Sequence, residues 1–371
     1  MDITVIYSLT AQVLWAGFFL ALIFGGVAHR THFCTLGAIS DVVHMGDWTR
    51  MRMWAVAAGV AMIGFYGLAA SGLVDPAKTL YASTRLMWAS ALVGGTMFGF
   101  GMVLASGCGS KTLVRIGGGS LKSMIVFLVM GIAAFATLKG VTAVLRVSTI
   151  DRVAVESDAN VSLANWVASA MKLSPNAAGL SLAILIGGCL IVWSVLGRNF
   201  VRGDNLVGGL GIGAVITGFW WVSGGLGYVA EHPDTLQEAF LGTSSGRAEA
   251  LSFVAPFAYT LDWVMFFSDK SKVLTLGVVS VVGVVLGAAI DALISHKFRW
   301  QGFRDVEDTA NHLAGATLMG IGGVCAMGCT VGQGLSGVST LSATSFVAVA
   351  AIVVGCLAGL KFQAWRAERR V

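Results

Sequence analysis

Three cysteines in this 371-residue chain occupy settings in which a thiol could do more than fill space. Cys34, Cys108 and Cys329 each follow an apolar run and lead a turn rich in glycine, threonine or serine. A thiol is a weak donor with a polarizable sulfur, so it can contact an anionic sulfur atom without trapping it as a full positive charge would. Two other chemistries use similar residues. A soft metal could take thiolates, and His29, His32 and Cys34 are suitable ligand types, but their spacing fits no tight zinc pattern. A dithiol redox relay is the other, and no C-x-x-C occurs. Cys189 and Cys356 sit mid-run among apolar neighbours and read as small hydrophobes. Cys325 also reads as packing, because its counterpart in the repeat described below is Leu104.

The turns supply candidate binding groups around the thiols: Thr35 beside Cys34, Gly107, Gly109 and Ser110 around Cys108, and Gly328, Thr330 and Gln333 around Cys329. Each of the two Gly-Cys turns precedes a short helical stretch, whose first backbone N–H groups attract anions. Arg30, Lys111 and Arg115 lie close in sequence and suit an anion-attracting mouth as well as a topological role. Gly107-Cys-Gly-Ser-Lys-Thr112 is only superficially a phosphate loop, since it lacks the required earlier glycine.

The elements that position these turns are membrane helices. The chain is 56% hydrophobic and 12% charged, with mean hydropathy +0.81, which leaves no soluble domain. Nine apolar runs approach bilayer length: 11–27, 51–73, 88–106, 121–138, 179–196, 206–222, 273–293, 310–327 and 340–360. The first has no basic leader and is expected to stay as a span. Nine crossings put the termini on opposite sides. The side of the C-terminus holds 15 Lys and Arg, Arg198 and Arg370 among them, against 9 on the other, which predicts a cytoplasmic C-terminus and a periplasmic N-terminus. Stretches 139–178 and 223–272 then lie outside, the first as an exposed connection and the second, with its aromatic residues, as an interfacial or half-buried segment.

Leu92 to Cys108 aligns without a gap on Leu313 to Cys329, with nine of seventeen residues identical, including the terminal Gly-Cys. This predicts two repeats, residues 1–145 and 206–371, each of four spanning helices. Residues 146–205 form a connection with one unpaired crossing. Five crossings separate equivalent points, so the halves are inverted, as in many secondary transporters.

The segments His32 to Asp41, Ser106 to Ser123 and Gly328 to Ser342 resemble the YeeE/YedE family of bacterial sulfur-compound transporters, which includes thiosulfate carriers. The resemblance covers most of the chain. It implies an hourglass-shaped, all-α inner-membrane protein rather than an enzyme, with inward-folding Gly-Cys loops and half-helices. Cys34, Cys108 and Cys329 would line a central thiosulfate path. It also implies a cytoplasmic sulfur-carrier partner of the TusA/YeeD type, with lipid around the protein. No cofactor, bound metal or nucleic acid is expected. Lys111, and the length of the 139–178 connection, depart from what thiosulfate carriers lead one to expect. The rival functions are a membrane thiol-redox protein and a carrier of a selenium compound or soft metal.

The charge bias generates a topology test. A reporter fused after Val371 should read cytoplasmic and one near Asp158 external; both on one side would refute the inversion.

Overall fold

The structure, a computed structural model, describes residues 3–197 and 200–369, so Arg198 and Arg370 lie outside the described residues. The first half contains α1 (Ile3–Arg30), α2 (Thr35–Met45) and α3 (Thr49–Ala70). It continues with α4 (Trp88–Leu104), the short α5 (Gly109–Gly117) and α6 (Leu121–Lys139). The connection carries α7 (Val141–Ser148) and α8 (Leu163–Met171) before α9 (Pro175–Val195). α10 (Gly203–Trp221) ends in a π turn, Val222–Leu226, and α11 (Val254–Met265) and α12 (Leu276–Ile294) follow. The last part is α13 (Val306–Cys325), helical residues 330–339 around a π turn at Gly332–Gly337, and α14 (Ala343–Glu368).

Each of the nine apolar runs falls on a helix. Among the described residues eight spans are long and apolar enough to cross a membrane, and the chain is an all-α integral membrane protein. α13 falls short in apolarity because Glu307, Asp308, Asn311 and His312 occupy its first turns. Helix starts are set by local capping. Ser120, Ser174 and Asp305 accept backbone N–H groups from the first turns of α6, α9 and α13, and Pro175 opens α9 where no N–H is needed.

With no hydrophobic drive between helices in lipid, association depends on how closely backbones approach. α4 and α13 cross antiparallel at glycine. A Cβ on Gly94 would stand 2.6 Å from the Gly322 carbonyl oxygen, and one on Gly101 would stand 2.7 Å from that of Gly315. In the alignment of Leu92 with Leu313, these are one contact seen from each side. Likewise Gly99 lies against Ile352 and Cys356 of α14, while its counterpart Gly320 lies against Met130 and Ala134 of α6. α1 runs parallel to α12, and α3 parallel to α10, through further glycine contacts (Gly25 on Val284; Gly213 on Val60).

Ion pairs Arg30–Asp204, Lys122–Asp308 and Arg366–Glu307 gather the end of α1, the starts of α6, α10 and α13 and the end of α14 at one face. At the opposite face the long connections interleave. β1 (Arg85–Leu86) pairs with β2 (Val155–Glu156), and β3 (Tyr228–Val229) with β4 (Ala239–Phe240). Leu80 donates to Ala248, and Val161 to Ser83, both at 2.8 Å. The 139–178 connection is therefore a folded cover rather than a free loop. Beneath it lies a 790 Å3 vestibule lined by Tyr66, Tyr81, Asp158, Asn160, Thr340 and Ser342. The 223–272 stretch is half-buried: Phe266 and Phe267 are exposed, and Phe253 and Phe257 are buried in the core.

Gly101→Val and Gly315→Val should each force α4 and α13 apart at the same crossing. Overpacking of this kind costs about 1–3 kcal/mol. Both variants should lower the thermal midpoint in detergent by similar amounts.

Candidate functional site

The three cysteines stand in turns of one design. Two residues before each, the backbone enters the left-handed region: His32 at φ 54°, Ser106 at 58° and Met327 at 56°. This terminates α1, α4 and α13. The next residue's N–H returns to a carbonyl in the helix just ended: Phe33 to Ala28 (3.2 Å), Gly107 to Met102 (2.8 Å) and Gly328 to Gly323 (2.8 Å). The cysteine follows as the residue that opens the next, shorter helix. Cys34 caps α2, Cys108 caps α5, and Cys329 immediately precedes helical residues 330–339.

The thiols are held by the helices they open. Gly37 N–H donates to Cys34 Sγ and Gly332 N–H to Cys329 Sγ, each at 3.4 Å, and Cys108 Sγ lies 3.3 Å from Ser110 Oγ. Cys108 and Cys329 are fully buried and Cys34 nearly so. Cys108 stands within electrostatic range of both Cys34 and Cys329, which makes it the middle of the three. α5 runs from Cys108 toward the face where Arg299 donates to Gly118. Residues 330–339 run the other way, toward Thr340 at the vestibule. The two short helices thus present their amino ends, with N–H groups that lack an intrahelical carbonyl and with partial positive charge, to the interior from opposite sides.

Aromatic residues brace this arrangement. Trp54 Nε1 donates to Thr35 Oγ1 (3.2 Å), Tyr81 to the Gly332 carbonyl (2.6 Å), Tyr66 to that of Thr340 (3.0 Å) and Trp220 Nε1 to Ser339 Oγ (2.9 Å). Thr35 and Thr330 line a shared apolar pocket of 110 Å3 with Trp54 and Ile352. Thr330 Oγ1 and Gln333 Oε1 are buried without a hydrogen-bond partner among the described residues, although Gln333 Nε2 donates to Ala326 at 2.5 Å. Buried polar atoms of this kind are ordinarily satisfied by a ligand or water.

Lys111 and Arg115 are half-buried beside the Cys108 turn. A Cβ on Gly107 would meet the Lys111 stem at 3.2 Å and an Arg115 guanidinium nitrogen at 3.5 Å. Neither has a carboxylate partner among the described residues. Arg30 stands apart, largely exposed and 3.7 Å from Asp204. Cys189 faces outward, while Cys325 packs on Gly94. Cys356 is buried within electrostatic range of Cys34 and Cys108, closer to the site than its apolar sequence neighbours suggest. Sequence patterning also missed Trp54, Tyr81 and residues 249–253, whose roles come from contacts distant in the chain.

The family model described as "Sulphur transport" matches residues 30–358. The thiosulfate transporter TsuA of Spirochaeta thermophila is 26% identical over 348 residues, covering 92% of this chain and 97% of that one. The thiosulfate transporter TsuA of Escherichia coli is 24% identical over 355 residues, covering 93% of each.

The left-handed turn can be tested at Ser106. Ser106→Gly should hold or slightly raise stability, because glycine adopts φ of 58° freely. Ser106→Val should cost about 1–2 kcal/mol, the penalty of a side chain in that region. Thermal unfolding of the purified variants measures both.

Proposed function

We propose, because this chain belongs to the sulphur-transport family, that it imports thiosulfate or a closely related sulfur anion along Cys329, Cys108 and Cys34. The observation that carries this is the threefold recurrence of one turn, each placing a thiol at the start of a helix. The relatives' names support thiosulfate as cargo. The protein acts as a transporter and not an enzyme.

On this reading the anion enters at the vestibule beside Thr340 and is handed inward to Cys329 and then to Cys108. Thiosulfate differs from sulfate by a large terminal sulfur that carries part of the charge. Backbone N–H groups alone would treat the two anions alike; a thiol is softer and longer than a hydroxyl, which favours sulfur. Weak sites also release what they bind, as conduction requires. Thr330 and Gln333, with their unpartnered oxygens, would contact the ion or its water at the Cys329 turn, and Ser110 would do so at Cys108. Lys111 and Arg115, which have no carboxylate partner among the described residues, would draw the anion on toward the exit, with Arg30 adding charge at the rim.

The two halves, residues 1–145 and 206–371, are read as inverted repeats; the matched glycine contacts support this. The excess of basic residues supports a cytoplasmic C-terminus in a bacterial inner membrane. A sulfur-carrier protein of the TusA/YeeD type would then receive thiosulfate at the basic face. Lipid would cover the outward side chains of helices such as α9, where Ile184, Leu185 and Val192 are exposed.

Cys108→Ser and Cys329→Ser should each reduce thiosulfate uptake into proteoliposomes about tenfold, the effect of one mismatched hydrogen bond of about 1.4 kcal/mol. Cys34→Ser should act in the same direction. Labelled thiosulfate, with sulfate, sulfite and selenite as competitors, is the measurement. Wild-type rates in the Cys108 and Cys329 variants would remove the thiol path.

A further inference from the structure

Residues 249–253 cross the interior as a strap in contact with both cysteine-bearing short helices. The Glu249 N–H donates to Ser223 Oγ in the first π turn (3.1 Å). The Leu251 carbonyl accepts from Ser336 Oγ of the helix behind Cys329 (2.7 Å), and a Cβ on Gly332 would stand 2.5 Å from Ser252 Oγ. Phe253, fully buried, lies 3.3 Å from the Cβ position of Gly109, beside Cys108.

The carboxyl at the head of this strap has no countercharge. Glu249 Oε1 accepts the Ser244 N–H (3.0 Å) and Oε2 the Ser245 hydroxyl (2.8 Å), and no ion pair involves Glu249 among the described residues. It faces a 210 Å3 cavity that reaches Met327 and Gly328, next to Cys329, and that also holds Arg146 and Tyr259. The cations nearby are engaged elsewhere: Arg146 with Asp151 (3.1 Å), Lys272 with Asp262 (2.6 Å), and Arg247 with the Ala82 carbonyl (2.8 Å). Tyr81 donates to Gly332. Ser244 Oγ, in the same cavity, is buried without a hydrogen-bond partner among the described residues.

A half-buried carboxylate without a cation is costly, and the cost disappears when it takes a proton. Desolvation pushes Glu249 above the ordinary carboxylate range, against the opposing pull of the Ser244 and Ser245 hydrogen bonds. The protonated form can also be accommodated. Ser245 Oγ lies 3.3 Å from the Arg247 carbonyl, so its hydrogen can turn there while Oγ accepts the carboxyl proton.

We propose that Glu249 is a proton-binding site linked to anion binding at the Cys329 turn, so that a proton and a divalent sulfur anion each strengthen the binding of the other. An ionised Glu249 repels an anion at the adjacent turn and a neutral one does not. The strap carries the change to the hydrogen bond between Leu251 and Ser336. By linkage, the factor by which a proton aids the anion is the factor by which the anion aids the proton. The identity of the anion rests on the thiosulfate reading above.

Calorimetric titration of the purified full-length protein with sodium thiosulfate, in two buffers of different ionisation enthalpy, counts the protons taken up. Wild type should take up protons on binding and bind up to about tenfold tighter per pH unit lowered across the titration of Glu249. Glu249→Gln should take up none, and at neutral pH it should bind at least as tightly as wild type, because it mimics the protonated acid. Glu249→Asp should retain proton uptake. Thiosulfate binding by wild type with no proton uptake overturns the linkage alone, and the wild-type titration decides this without any variant. Equal uptake by Glu249→Gln and wild type also overturns it. No binding by wild type at any pH overturns the cargo reading and the linkage with it.

Discussion

Everything at the centre of this protein depends on satisfying non-helical backbone at membrane depth. In hydrocarbon an unpaired N–H or carbonyl costs several kcal/mol, so a helix can break there only if the break is hydrogen-bonded from within. The turns at His32, Ser106 and Met327 meet that condition by returning an N–H to the helix just ended. The first N–H groups of the helix about to begin have no intrahelical carbonyl, and Gly37 and Gly332 turn theirs to the cysteine sulfurs. These amino ends face inward at the cysteines and carry partial positive charge.

Close glycine packing is the second requirement, and it follows from the first. Short helices offer little surface, so the long helices beside them must hold the frame. The crossing of α4 and α13 does this at Gly94, Gly101, Gly315 and Gly322, where any side chain would strike the opposite backbone. The aromatic braces then fix the short helices to that frame, with Tyr81 and Trp220 reaching the Cys329 helix.

Much of this was legible in the sequence. Apolar length located the helices, because hydrophobicity over some twenty residues is a local property. The recurrence of Gly-Cys marked two of the turns, and the cysteine type marked the third. Other features depend on contacts between distant residues. Arg30 is close to Cys34 in sequence, yet its side chain extends to Asp204 at the surface. Phe253 and Phe257 are not told apart from Phe266 and Phe267 by sequence, yet the first pair is buried in the core and the second exposed. Glu249 sits in a connection whose sequence gives no sign that a carboxyl will be withdrawn from solvent; the Ser244–Ser245 turn and the cavity beside Cys329 leave it half-buried.

α9 packs chiefly on α3 and α8, and its far side carries exposed apolar residues. On the inverted-repeat reading it does no chemistry, yet it sets the architecture. Four crossings return the chain to the side from which it started, so a second half joined directly to the first would insert in the same orientation. The amino ends of α5 and of residues 330–339 would then point the same way and could not face each other. One added crossing reverses the second half. On that reading α9 is a topological adapter, and the antiparallel pairing that two separate half-length proteins would need two insertion orientations to achieve is fixed within a single polypeptide.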